Sequence, residues 1–308
     1  MILCCGESLI DMIPAPLADG GTGMKPLPGG SVFNTALSLG RLCAPIGLLT
    51  GLSRDPFGIR LEDALDDASV DMTLAVRSDR PTTLAIVTLT DGNASYHFMD
   101  ENSAGRMLRI EDFPALPDRV QALFFGGISL ACEPCADAYA AYAARYAGDR
   151  LVMVDPNIRP DFIADRDRFM DRIRGMLALA DVVKFSDDDL AWFLPDLRDM
   201  AERVAAVQAL GARIVIVTQG ARGATATLPD GTTVEVAARA ANVIDTVGAG
   251  DTFNAGFLAQ LEADGLCTKP ALAAAGADQV RAALEFAARV AAVTVSRAGA
   301  DPPWRSEV

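Results

Sequence analysis

Short runs of β-branched and apolar residues alternate along this chain with Ala- and Leu-rich amphipathic stretches. The predicted strands are Met1–Cys5, Ile46–Thr50, Ala122–Phe125, Leu151–Val154, Val182–Phe185 and Ile214–Thr218. Predicted helices lie between and after them: Phe33–Leu42, Ile59–Ala68, Cys135–Tyr146, Arg166–Ala178, Asp187–Trp192, Met200–Leu210, Thr252–Ala263 and Gln279–Val295. Uniformly apolar strands separated by helices require a mostly parallel sheet covered on both faces, an α/β three-layer arrangement. Ligands on such sheets bind at the carboxyl ends of the strands, so the loops there are the place to look for chemistry.

One region interrupts the alternation. Asp71–Arg77, Thr82–Leu89 and Ser95–Phe98 read as strands with no helix between them, and Asp91-Gly92 reads as a hairpin turn. The Pro- and Gly-rich segment Met12–Pro28 belongs to the same excursion. The expectation is a single domain over residues 1–308 with a small antiparallel β subdomain from about 12–28 and 71–104. A β flap above a ligand site is a lid candidate.

Composition narrows the partners. The 308 residues carry a formal charge of −14, which argues against nucleic acid or an anionic membrane surface. Lys25, Lys184 and Lys269 are the only lysines. A polyanionic ligand would therefore need helix termini, arginines and a metal ion. The six cysteines form no framework, and Cys132-Glu133-Pro134-Cys135 lacks a second pair with which to build a zinc site. Reduced thiols and a cytoplasmic location are expected. The first residues have no basic segment of a signal peptide, and no apolar run reaches the length of a membrane span.

The loop Asn242–Phe253 is the richest in chemistry. Gly248 and Gly250 permit a tight bend that brings N–H groups to face one point. The following helix leaves its first N–H groups unpaired and presents the positive end of its dipole, which makes an anion hole suited to phosphate. The loop contains no Lys, so it is not the G-x-x-x-x-G-K-[ST] nucleotide loop. Asp251, a negative group inside a site built for negative charge, admits two readings. It is either a helix N-cap, or a general base that deprotonates a hydroxyl as that hydroxyl attacks phosphorus. A second glycine pair, Gly29-Gly30, precedes a second helix, where Asn34 stands one turn in and can donate to and accept from hydroxyls.

Together the two loops resemble the signatures of the ribokinase/PfkB family of carbohydrate kinases. Gly29–Ala36 matches G-G-x-x-x-N-x-A, and Asp245–Asp251 matches D-T-x-G-A-G-D. The resemblance covers essentially the whole chain and is closest to the bacterial fructokinase branch, whose segments are similar to Gly6–Met12, Gly51–Gly58, Arg80–Ala85 and Asp155–Arg159. It implies a ribokinase-like α/β fold and an ATP-dependent kinase acting on a primary hydroxyl, with fructose as the leading acceptor. Other acceptors in the family's range are 2-keto-3-deoxygluconate, ribose or a nucleoside. A catalytically silent sugar- and nucleotide-binding scaffold is the alternative of another class.

Carried over residue by residue, the resemblance implies that Asp251 is the catalytic base and that Gly248, Ala249 and Gly250 form the anion hole. Asp11, Gly29, Gly30, Asn34 and Arg159 would bind sugar. Thr218, Gly220, Ala221 and Gly223 match the loop under ATP, with Lys184 and Ser186 nearby. Asp189 falls where the family's N-x-x-E motif orders Mg2+ through water, although Ser186 replaces Asn and the shorter Asp189 replaces Glu; Asp188 is its neighbour and rival. Asp245 and Thr246 match a position where relatives bind K+. In the lid, Asp100 and Gly105 stand where many fructokinases have Arg and Asp, so a basic sugar-facing contact is missing. Lids of this kind also pair subunits, which implies a homodimer.

Overall fold

The computed structural model describes the backbone of residues 1–90 and 93–308, and side chains outside 89–96. The expected Asp91-Gly92 turn lies outside the described residues. The chain opens with Ile2–Cys5 (β1), a hairpin of Leu9–Pro16 (β2) and Thr22–Gly29 (β3), and the helix Ser31–Arg41 (α1). Ile46–Leu49 (β4), Gly51–Ser53 (β5), Pro56–Asp67 (α2), Val76–Ser78 (β6), Leu84–Thr90 (β7) and Asn93–Met99 (β8) follow. The middle of the chain is Ala122–Gly126 (β9), Cys135–Tyr146 (α3), Leu151–Asp155 (β10), Arg166–Leu177 (α4), Val182–Ser186 (β11), Asp187–Phe193 (α5), Met200–Leu210 (α6) and Ile214–Thr218 (β12). Ala224–Thr227 (β13) and Thr233–Val236 (β14) precede the closing helices Ala249–Ala263 (α7), Lys269–Ala273 (α8) and Ala277–Thr294 (α9).

Eight strands form the main sheet in the order β14-β13-β12-β11-β10-β9-β1-β4. From β4 through β12 every pairing is parallel, and β13 and β14 close one edge antiparallel. Alternate side chains serve two separate cores, as a strand buried on both faces requires. Ile2 and Cys4 point into the core under α1, α2, α7 and α9, and Leu3 and Cys5 into the core under α3 to α6. The helices begin where acidic or hydroxyl residues cap them. Asp55 accepts from Phe57 and Gly58 with Pro56 in the first turn, and Asp199 accepts from Ala201 and Glu202.

The smaller sheet departs in detail from the expected excursion. It is the four-stranded order β3-β2-β7-β8, two antiparallel hairpins joined by a parallel pairing of Ile10 with Leu84. Asp71–Arg77 does not join it. Asp71 exchanges hydrogen bonds with Ile46 and Leu48, and Val76 N donates to Thr50 O, so main-body partners claim this segment before the smaller sheet can. The short strands β5, β6, β13 and β14 carry too few residues for a periodicity to show. Helix α7 starts at Ala249 rather than Thr252, which places Gly250 and Asp251 inside its first turn. Among the described residues no helix is long and apolar enough to cross a membrane.

Helix α7 is buried along most of its length, between the sheet and α1 on one side and α9 on the other. Close approach of α9 depends on Gly256, where a Cβ would lie 2.7 Å from Ala287 Cα. Gly256→Val forces these backbones apart. The expected cost is about 1–3 kcal/mol of stability, read as a lower midpoint in chemical denaturation with an unchanged slope.

Candidate active site

The carboxyl ends of the parallel strands converge on the N-terminus of α7. Gly248 caps that helix at φ 77°, in the left-handed region, where most other residues would be strained. The turn before it is held by Asp245, whose carboxylate accepts from Val247 N at 3.0 Å and from Gly299 N at 2.8 Å. Ala249 N donates to Thr246 O. Among the described residues the N–H groups of Gly248, Gly250 and Asp251 have no acceptor, whereas that of Ala249, also expected in the anion hole, is engaged.

Asp251 does not cap the helix. Its carboxylate leaves the helix end and meets α1, accepting from Ser31 Oγ at 2.7 Å and from Asn34 Nδ2 at 2.9 Å. Thr35 Oγ1 donates to the Asp251 carbonyl, tying the two helices together. Burial pushes the Asp251 carboxyl above the usual carboxylate range, while the Asn34 and Ser31 hydrogen bonds oppose the rise. A carboxylate poised in this way is suited to accept a proton near neutral pH.

The second glycine pair lies beside it. Asp11 sits within β2, and a Cβ at position 29 would overlap its carboxylate, so Gly29 gives Asp11 its place. Burial, together with the nearby Asp251, pushes the Asp11 carboxyl up to about 6. Gly30 is the N-cap of α1. Asn34 is 6% exposed and its Oδ1 has no partner, an acceptor without a donor next to two carboxylates.

Beneath the α7 N-terminus lies a buried ion pair. Lys184 Nζ donates to Asp155 Oδ2 at 3.0 Å, and Asn254 Nδ2 donates to the same oxygen at 2.7 Å. The lysine is also within 3.2 Å of where a Cβ on residue 250 would sit, so its charge reinforces the anion hole from below. Ser186 caps α5 by accepting from Asp189 N, which commits its hydroxyl locally. Asp189 turns inward, where Oδ1 accepts from Ile158 N, and burial pushes its carboxyl up; Asp188 is exposed. Arg159 is exposed, donates to Ile158 O, and lies near enough to Asp189 for its charge to act on that carboxyl.

On the other side of the α7 N-terminus is a cavity of about 700 Å³. Thr218, Gly220, Ala221 and Gly223 form one wall, with Thr246, Ala249 and Gly250 at its inner end. The opposite wall is α9 (Ala288, Ala291, Ala292) together with the Ala238–Ala241 segment. Gly250 faces this cavity while the adjacent Asp251 faces Asn34 and Ser31. Two compartments thus meet at one helical turn.

Sequence reasoning missed Ser31, Asn157, Asp155 and Asn254, and the alanine-lined wall. Ser31 and Asn254 had a legible signal. Ser31 and Asn34 are three residues apart on one helix face, as are Asp251 and Asn254. The alanine wall had none, because Ala residues along a buried helix read as core. Just after β8, Asp100 pairs with Arg106 at 2.8 Å, so that arginine is neutralised rather than offered to a ligand. Phe98 meets Phe162 edge-on with centroids 4.1 Å apart, which joins the small sheet to the loop bearing Arg159.

The pfkB family carbohydrate kinase profile matches residues 1–307. A fructokinase of Rhizobium leguminosarum bv. trifolii is 46% identical over 270 residues, covering 87% of this chain and 82% of that protein. A crystal structure of a Xylella fastidiosa fructokinase with bound ATP is 28% identical, with a TM-score of 0.85 and coverage of 97% of this chain and 93% of the other. A double mutant of the Vibrio cholerae O395 fructokinase, solved with fructose, ADP and potassium, is 26% identical with a TM-score of 0.84, and covers 97% of this chain and 93% of the other. The fold is therefore ribokinase-like α/β.

An ionised Asp11 accepts hydrogen bonds from hydroxyls far better than a protonated one. With its carboxyl raised to about 6, the KM for a sugar acceptor should rise as pH falls through that value. Asp11→Asn should weaken binding and flatten this dependence. A KM–pH profile unchanged by the substitution would remove Asp11 from the acceptor site.

Proposed function

The chain belongs to the pfkB family of carbohydrate kinases and is an ATP-dependent sugar kinase, and we propose that it phosphorylates the 6-hydroxyl of fructose. The observation that carries this reading is the placement of Asp251. Its carboxylate is buried beside Asp11 and Asn34, while the preceding Gly250 lines the cavity shared with Thr218, Gly220, Ala221 and Gly223. A sugar held by Asp11, Asn34 and the Gly29-Gly30 turn would present a primary hydroxyl to Asp251. ATP seated in the cavity would bring its terminal phosphate to the N–H groups of Gly248, Gly250 and Asp251.

Asp251 then takes the hydroxyl proton as the oxygen attacks phosphorus, and the helix N-terminus with Lys184 stabilises the charge on the transferred group. Little covalent work falls to the protein beyond positioning. Arg159 would have to turn from Ile158 O to reach the transferred phosphate. Asp189 would hold Mg2+ through water; it fits that task as a half-buried carboxylate close enough to Asp155, Lys184 and Arg159 to feel their charges. The ion supplies charge neutralisation along the triphosphate. Asp245 and Thr246 are the residues that would hold K+, in the turn that Asp245 already braces. The four-stranded sheet serves as the lid and as the surface through which a homodimer would form. Free thiols at all six cysteines suit a cytoplasmic enzyme of small-molecule metabolism.

A coupled ADP-release assay over fructose, 2-keto-3-deoxygluconate, ribose and a nucleoside tests the acceptor. Fructose should give the highest kcat/KM, and a preference of tenfold or more for another acceptor would overturn it. A closing lid also excludes water, so ATP hydrolysis without sugar should run at a small fraction of the rate with sugar. Equal rates would contradict that closure.

A further inference from the structure

We infer that Ser31 is a positioning residue for phosphoryl transfer: its hydroxyl, oriented by Asn157, holds the Asp251 carboxylate in place to accept the proton of the attacking substrate hydroxyl. This rests on the reading of Asp251 as the base. Helix α1 begins at Ser31, and its N-cap Gly30 has no side chain, so the Ser31 hydroxyl is not spent on the helix end. Ser31 and Asn34 share a helix face and deliver one donor to each oxygen of Asp251, Ser31 to Oδ1 and Asn34 to Oδ2. Each oxygen keeps a lone pair for the substrate hydroxyl.

Asn157 sets the direction of the Ser31 hydrogen. Its Nδ2 donates to Ser31 Oγ at 3.3 Å, which engages the hydroxyl oxygen as an acceptor and leaves its single hydrogen for Asp251. Asn157 is itself held at φ 44°, a left-handed conformation that Asn tolerates, with its N–H on Asp155 Oδ1. The arrangement therefore runs from the end of β10 through Ser31 to the base.

The hydroxyl counters an unfavourable setting. Burial, Asp155 from β10 and Asp11 from β2 all favour the protonated form of Asp251. Lys184 from β11 opposes them, but its Nζ is engaged by Asp155. Helix α1 contributes only neutral donors, Ser31, Asn34 and Thr35. Losing one donor of two should let the carboxyl protonate more readily.

The test is the pH dependence of kcat with saturating ATP and sugar. Ser31→Ala should move the acidic limb upward by roughly one pH unit, the usual size for one hydrogen bond to a charged carboxylate. The loss should be larger at acidic pH and shrink as pH rises. Ser31→Thr, which keeps a hydroxyl, should restore the limb. Asn157→Gly, which suits the left-handed backbone and removes the amide, should move it in the same direction by less. Repeating the series in an Asp11→Asn background separates any limb that belongs to Asp11. A uniform loss at every pH with an unmoved limb would overturn the role of Ser31 while leaving Asp251 as the base. Wild-type-like turnover by Asp251→Asn would instead overturn the base itself, and the inference with it.

Discussion

A carboxylate buried at the amino end of a helix would ordinarily be drawn to that helix's own N–H groups. Here Asp251 is drawn away by α1, whose Ser31 and Asn34 take both oxygens. That diversion leaves the N–H groups of Gly248, Gly250 and Asp251 for an external anion. The rest of the site depends on it. The helices α1 and α7 must lie against each other, Gly29 must make room for Asp11, and Asp245 must brace the turn at Gly248.

The same constraint explains how an acidic chain manages a polyanion. With a formal charge of −14 and only three lysines, its cations are arginines in the main and are outnumbered by 41 carboxylates. The site relies on backbone N–H groups, which carry no counter-charge to desolvate, and on one buried lysine. Lys184 is held by Asp155, whose same carboxylate oxygen is fixed by Asn254, so the lysine's charge has a set place beneath the helix end. A buried pair of this kind costs desolvation, and its value lies in fixed geometry more than in stability.

Much of this was legible in the sequence. Uniformly apolar strands predicted a parallel sheet, and helices such as Cys135–Tyr146 and Met200–Leu210 were bounded correctly because their amphipathic pattern and flanking residues agreed. Two glycine loops identified the place of the chemistry. What escaped was three-dimensional. Asp71–Arg77 looked like a lid strand because its pattern says nothing of which edge will claim it. The parallel junction of β2 with β7 joins segments more than seventy residues apart, and no local signal records it. Asp155 and Lys184 lie on neighbouring strands of the same register, a relation that exists only once β10 and β11 pair. Alanines lining the larger cavity carry no chemistry of their own, and their role is the space they leave.

Single-turnover phosphoryl transfer by Asp251→Ala, with ATP affinity measured by calorimetry on the same protein, probes the central claim most directly. Transfer should slow by about 10²-fold or more, the usual contribution of a general base, while ATP binds within a few-fold of its normal affinity. Transfer within a few-fold of the unaltered enzyme would contradict the account, because the carboxylate between the two compartments would then have no part in moving the proton.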